Sequence, residues 1–308
     1  MSLPVLAEVV RSGYVESLHA GSLLVVDAHG STLLALGEVD APVFPRSSNK
    51  PLQAVGLLRA GWRPADDAEL ALATASHSGE PEHLSVVRRM LAGARLDETD
   101  LGCPPGLPLS EPAAHALLAA GGAATPLTMN CSGKHAAMLA CCVANDWPTQ
   151  GYLDPSHPVQ VAVQAALEDL AGEQVAHVAV DGCGAPQHAL TLRGLARAFT
   201  ALVRSEHQVV AAMTGHPHLV GGTDRDVTAL MTDVPGLVAK DGAEGVYAAA
   251  LPDGSAVALK IADGAGRARM PVMAAALQRL GVTDLDSLLT LPVLGGGLPV
   301  GQVRATLP

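Results

Sequence analysis

Strand-like runs sit towards the two ends of this chain and helix-like runs fill its middle, and that order limits the fold more than any other feature. Residues 22–27 and 31–36 are short apolar runs joined by Ala28-His29-Gly30, which reads as a β-hairpin. Residues 178–180, 237–247 and 256–261 read as further strands, the last two separated by the turn Pro252-Asp253-Gly254. Helical spacing is expected over 52–58, 84–91, 113–120, 136–144, 159–170, 192–203, 209–213 and 267–280. Pro51 suits a first helical turn, where its missing N–H costs little. This is the order of an α/β (α+β) protein, with an antiparallel sheet built from the N- and C-terminal strands, flanked by helices, and a helical lobe inserted. One domain over 1–308 is expected, its sheet lobe drawn from roughly 1–60 and 175–308 and its helical lobe from roughly 61–174.

Composition decides what such a fold can be filled with and what it can bind. Apolar residues reach 49% and charged ones 16%, enough for an ordered core, but aromatics are only 2%, so Ala, Val and Leu must fill it. The net charge is -11 and no cluster of Lys and Arg occurs, which argues against a nucleic-acid partner. No run approaches the ~18 apolar residues of a membrane helix, and the first residues lack the pattern of a signal peptide. A cytoplasmic protein acting on a small molecule is expected. The five cysteines, Cys103, Cys131, Cys141, Cys142 and Cys183, are an odd number with no Cys-x-x-Cys pair, which points to reduced thiols. A zinc site would have to gather ligands from distant segments.

Chemistry concentrates in Asn130-Cys131-Ser132-Gly133-Lys134-His135, just before an apolar helical run. Cys131 and Lys134 are three apart and share a helix face, and Gly133 between them would let a ligand or metal approach the backbone. Ser47-x-x-Lys50 has a second chemical logic. Across one helical turn a lysine can reach a serine hydroxyl, and a lysine whose pKa is depressed by burial or by other cations can take its proton. Read alone, the tetrapeptide is common, and its first reading is Ser47 as a helix cap and Lys50 as a solvated cation. The block Ser76-His77-Ser78-Gly79-Glu80 and the loop Asp181-Gly182-Cys183 add hydroxyls, imidazole, carboxylates and a thiol.

Taken in order, Pro45-Arg46-Ser47-x-x-Lys50-Pro51, Ala75-Ser76-His77-Ser78-Gly79-Glu80, the hexapeptide at 130–135, Asp181-Gly182-Cys183 and Lys240-x-Gly242-Ala243-Glu244-Gly245 closely resemble the asparaginase II family, the class 3 L-asparaginases. The matches span almost the whole chain. The resemblance implies a fold like that of serine β-lactamases and glutaminases, a homodimer, and hydrolysis of the side-chain amide of L-asparagine to L-aspartate and ammonia. By position it implies two serine-lysine pairs, Ser47 with Lys50 and Ser76 with Lys240. It also implies zinc on Cys131, Lys134 and Cys183, with water completing the sphere and Lys134 neutral. On this reading Ser47 is the nucleophile with Lys50 as its base, and Ser76 with Lys240 forms a second relay. Arg46 is expected at the substrate α-carboxylate, Asp181 at its α-ammonium, and His135 at the substrate or site water. Glutaminase, another Ser-x-x-Lys amide or β-lactam hydrolase, and a non-catalytic zinc or amino-acid binding protein are the alternatives.

Overall fold

A computed structural model describes residues 3–308. Its strands in chain order are β1 (Val5–Arg11), β2 (Tyr14–Val26), β3 (Thr32–Leu36), β4 (Pro42–Val43), β5 (His177–Val180), β6 (Pro186–Thr191), β7 (Val238–Asp241), β8 (Val246–Ala250), β9 (Ala256–Ile261), β10 (Thr290–Gly295) and β11 (Leu298–Ala305). Its helices are α1 (Lys50–Arg59), α2 (Asp67–Ala73), α3 (Pro81–Gly93), α4 (Glu111–Ala119), α5 (Ser132–Ala144), α6 (Pro158–Ala171), α7 (Leu192–Ser205), α8 (His207–Gly215), α9 (Pro217–Val220), α10 (Asp226–Asp233) and α11 (Arg269–Arg279). The strands thus lie before residue 44 and after residue 176, and α1 to α6 lie between them, which is an α+β order with an antiparallel sheet.

The main sheet runs β10-β11-β1-β2-β9-β8-β7, with β3 paired to β2 outside that path, and β4-β6-β5 form a small second sheet. The hairpin expected over 22–36 is present, Val26 pairing with Thr32. Two strand pairs carry no strong local signal and were not expected, β1 with β2 and β10 with β11. The first turns through Ser12 and Gly13, both at positive φ, the geometry that two-residue hairpins prefer.

The single strand expected over 237–247 is instead the hairpin β7–β8. Glu244 and Gly245 both take positive φ there, so the chain reverses within what reads as one run. The short helices α2 and α9 carry no clear periodic signal in the sequence and were not expected.

Small residues let helices lie close to the strands. Ala248, Ala249, Ala250, Ala256 and Ala258 are fully buried under α7 and α11, which both pack on β8 and β9. Leu192, Leu195, Phe199 and Leu202 line the buried side of α7 at helical spacing. Tyr247 and Phe199 are among the largest fully buried side chains. Among the described residues no helix is long and apolar enough to cross a membrane.

Candidate active site

After β4 the chain makes a 3-10 turn, Arg46–Asn49, that runs directly into α1. Arg46 sits at φ +52, an uncommon conformation for a residue with a side chain, which is held here by the ion pair between its Nε and Asp181 Oδ1 at 2.8 Å. Lys50 opens α1 and is buried. Its Nζ donates to the Ala75 carbonyl, to Ser76 Oγ at 3.0 Å and to Cys131 Sγ at 3.2 Å. The expected pairing is therefore redrawn, because Lys50 is hydrogen-bonded to Ser76 rather than to Ser47. Ser47 lies in the 3-10 turn before the helix, where its carbonyl accepts the Lys50 backbone N–H, while the Lys50 ammonium is already engaged by Ala75, Ser76 and Cys131 on its other side. Ser47 lines the cleft, and its hydroxyl has no hydrogen-bond partner among the described residues.

Lys240, at the core of β7, is also fully buried, but it takes a different partner from the expected Ser76. Its Nζ donates to Asp241 Oδ1 at 2.6 Å and to the Asp241 carbonyl at 2.9 Å. The other carboxylate oxygen of Asp241 accepts from Arg225 at 2.8 Å and lies 3.5 Å from Arg269. Burial alone would raise the Asp241 carboxyl, yet Lys240, Arg225 and Arg269 hold it well below the usual carboxylate range. Burial pushes Lys240 down to about 8, with Asp241 opposing and Lys50 adding to the shift. Arg225 also donates to the Ser76 carbonyl at 3.3 Å, which ties this charged group to the serine. Asp241, Arg225 and Arg269 were not singled out in the sequence. Asp241 stood as the unassigned position inside Lys240-x-Gly242, and the two arginines lie outside any motif.

Cys131 caps α5, Lys134 lies in that helix's first turn, and Cys183 sits in the tight turn between β5 and β6, where Gly184 takes φ +86 and its N–H bonds Asp181. The fold brings these three residues to one place. Lys134 Nζ donates to Cys183 Sγ at 3.0 Å. A bond from Cys131, aided by Lys134 and opposed by burial, favours the Cys183 thiolate, whereas the same bond and burial push the Cys131 thiol up. Burial opposes the charge on Lys134, but Cys183 and Cys131 outweigh it and raise its pKa. Zinc would displace that proton. Two convergent sulfurs and one amine, two of them on the cleft wall, suit its borderline-soft tetrahedral preference and leave a position open to the cleft. Gly133 corrects the sequence reading, since a Cβ there would lie 2.6 Å from the Leu72 carbonyl oxygen. Its small size lets α5 pack on α2 and does not admit a ligand.

Arg46, Ser47, Ser76, Cys131, Asp181 and Cys183 line one cleft of about 340 Å³, together with Arg225, Asp241 and Arg269. Lys50, Lys134 and Lys240 stand behind that lining with their ammonium groups bonded to it. Arg46 and Asp181, expected at opposite ends of a substrate, instead bond each other, and a zwitterion could take both over, carboxylate to Arg46 and ammonium to Asp181. His135 is fully buried and does not line the cleft; its Nδ1 bonds the Tyr152 hydroxyl at 2.6 Å.

Away from the cleft wall, Glu80, His83 and His218 bring their ligand atoms within 4.8 Å of one another. His83 Nδ1 accepts the Glu80 N–H and its Nε2 meets the His218 carbonyl, so both ring nitrogens are committed to the backbone and neither offers a lone pair to a metal.

The family described as L-asparaginase II matches this chain over residues 7–305. No curated protein matches it.

Proposed function

The chain belongs to the L-asparaginase II family of amidohydrolases, and from that premise we propose that it hydrolyses the side-chain amide of L-asparagine to L-aspartate and ammonia. The observation that carries this reading is the convergence, in one cleft, of an unpartnered serine hydroxyl, a serine-lysine hydrogen bond and an Arg–Asp pair suited to an amino-acid zwitterion. Arg46 takes the α-carboxylate and Asp181 the α-ammonium. Ser47 attacks the side-chain carbonyl carbon, and its proton passes to the Ser76–Lys50 pair. The tetrahedral intermediate then expels ammonia, which takes up that proton, and leaves an aspartyl ester on the serine. Water hydrolyses the ester to L-aspartate, with Lys240 in its neutral form as the accepting base.

Cys131, Lys134 and Cys183 would hold a zinc ion, which supplies Lewis acidity and an open coordination position at the cleft wall. There it would orient the substrate and keep Lys134 neutral, since the two thiolates would already offset its charge. His135 acts from behind this cluster. A homodimer in the cytoplasm, working on free L-asparagine with no nucleic-acid or membrane partner, completes the reading.

Ser76 is the second candidate for attack, favoured by its 3.0 Å bond to Lys50. Acid quenching during turnover, followed by mass mapping of the aspartyl ester, separates the two. The ester is expected on the peptide carrying Ser47, and an ester on Ser76 would reverse the two serines' roles. Ammonia release from L-glutamine at an equal rate would change the substrate to a wider amide class.

A further inference from the structure

Tyr152 lies between α5 and α6, is 4% exposed, and stands edge-on to the His135 ring at 82° with centroids 5.7 Å apart. Its hydroxyl has two neighbours. The Gly102 backbone N–H donates to Oη at 2.9 Å, and His135 Nδ1 lies 2.6 Å from the same oxygen. Gly102 is what permits this approach, because a Cβ on residue 102 would come 3.0 Å from that oxygen. The Gly102 N–H can only donate, so the phenol proton needs an acceptor of its own. Among the described residues His135 Nδ1 is the one within reach.

The direction of this bond fixes the imidazole. With Nδ1 accepting, a neutral His135 carries its proton on Nε2, at the end of the ring turned away from Tyr152. That atom is buried and has no hydrogen-bond partner among the described residues, an uncommon state that calls for a purpose. The cluster lies close by: Lys134 directly precedes His135 on α5, and a Cβ on Gly184, next to Cys183, would meet Leu153 at 3.4 Å and the Gly102 carbonyl oxygen at 3.8 Å.

We propose that Tyr152 is a positioning residue for the reaction: it locks His135 as the Nε2–H tautomer and thereby keeps a neutral donor beside the Cys131–Lys134–Cys183 cluster. The arrangement resembles a relay of backbone N–H, phenol and imidazole, each link directed by the one before it. This role rests on the hydrolase reading above, but the tautomer itself does not.

The test uses the full chain and Tyr152→Phe, which keeps the ring and removes only the hydroxyl. Nitrogen-15 spectra of histidine-labelled, metal-free protein, with the His135 signals assigned through His135→Gln, are expected to show a protonated Nε2 and an unprotonated Nδ1 in the parent chain and a mixture of tautomers in Tyr152→Phe. With L-asparagine, Tyr152→Phe should lower kcat by about 10- to 100-fold, the usual cost of losing an outer partner of a site histidine, while KM stays within about twofold. The same change made on a His135→Gln background should cost nothing further, because Tyr152 acts only through His135. An unchanged tautomer in Tyr152→Phe, or an equal loss on both backgrounds, would overturn the proposal. If the parent chain released no ammonia, the hydrolase reading would fall, and the spectra would still decide the role of Tyr152.

Discussion

Two of the three lysines buried behind the cleft, Lys50 on its helical wall and Lys240 on its sheet wall, are satisfied by opposite means. On the helical wall Lys50 donates to a carbonyl, a hydroxyl and a thiol, all neutral or soft, and the hydroxyl and thiol can exchange protons. On the sheet wall Lys240 is clamped to Asp241, a carboxylate that Arg225 and Arg269 also hold. Buried charge is costly unless paired, and of these two lysines only Lys240 meets that cost with a carboxylate. The difference divides the labour. Proton traffic belongs to the helical wall, and the sheet wall supplies a fixed field in which Lys240 is the group that changes charge near neutrality.

The largest effect that would sharpen this contrast is on the helical wall. Lys50→Met should lower kcat for L-asparagine on the order of 1,000-fold or more while far-ultraviolet circular dichroism stays unchanged, since it removes the partner of the Ser76 hydroxyl. On the sheet wall the main cost should fall on stability. Asp241→Asn leaves Lys240, Arg225 and Arg269 without their shared anion and should cost about 3–5 kcal/mol in denaturant unfolding. A loss of kcat without a loss of stability in Asp241→Asn would break the contrast.

A pH profile separates the walls more finely. Lys240 has its pKa lowered to about 8 and serves as a base only when neutral, so kcat should rise with pH through about 8 and then level. Asp241 opposes the shift, so its loss should move that limb to lower pH. For stability the sign runs the same way. The folded chain gives up this proton more readily than the unfolded one, so the cost of charging Lys240 is fully present below pH 8 and is relieved as pH rises towards the ordinary lysine value of 10.5.

The smallest of these effects concerns packing behind the helical wall. Gly133→Ala should cost about 1–3 kcal/mol in stability, because its new methyl meets the Leu72 carbonyl of α2, and a thermal melt would read it.

These contrasts also mark what could be read from the sequence. Patterns carried by a few adjacent residues were legible, such as the hairpin over 22–36, the helix within 158–171 and the run of small and polar groups at 130–135. Pairings made across the fold were not. That Lys50 reaches Ser76 depends on α1 crossing beside the loop after α2, and no spacing encodes this. Arg225 and Arg269 come from segments without a motif, and only β7 and its neighbours bring them to Asp241. The hairpin β7–β8 was hidden because its turn, Gly242-Ala243-Glu244-Gly245, lay within a motif read for chemistry, and its reversal depends on positive φ at Glu244 and Gly245.

The most direct test of the account is ammonia release from L-asparagine by the zinc-loaded chain and by its Ser47→Ala variant. Release by the parent chain, abolished in Ser47→Ala with the fold intact, is the predicted result. A folded parent chain that releases no ammonia, or a Ser47→Ala variant that works at the parent rate, would contradict it.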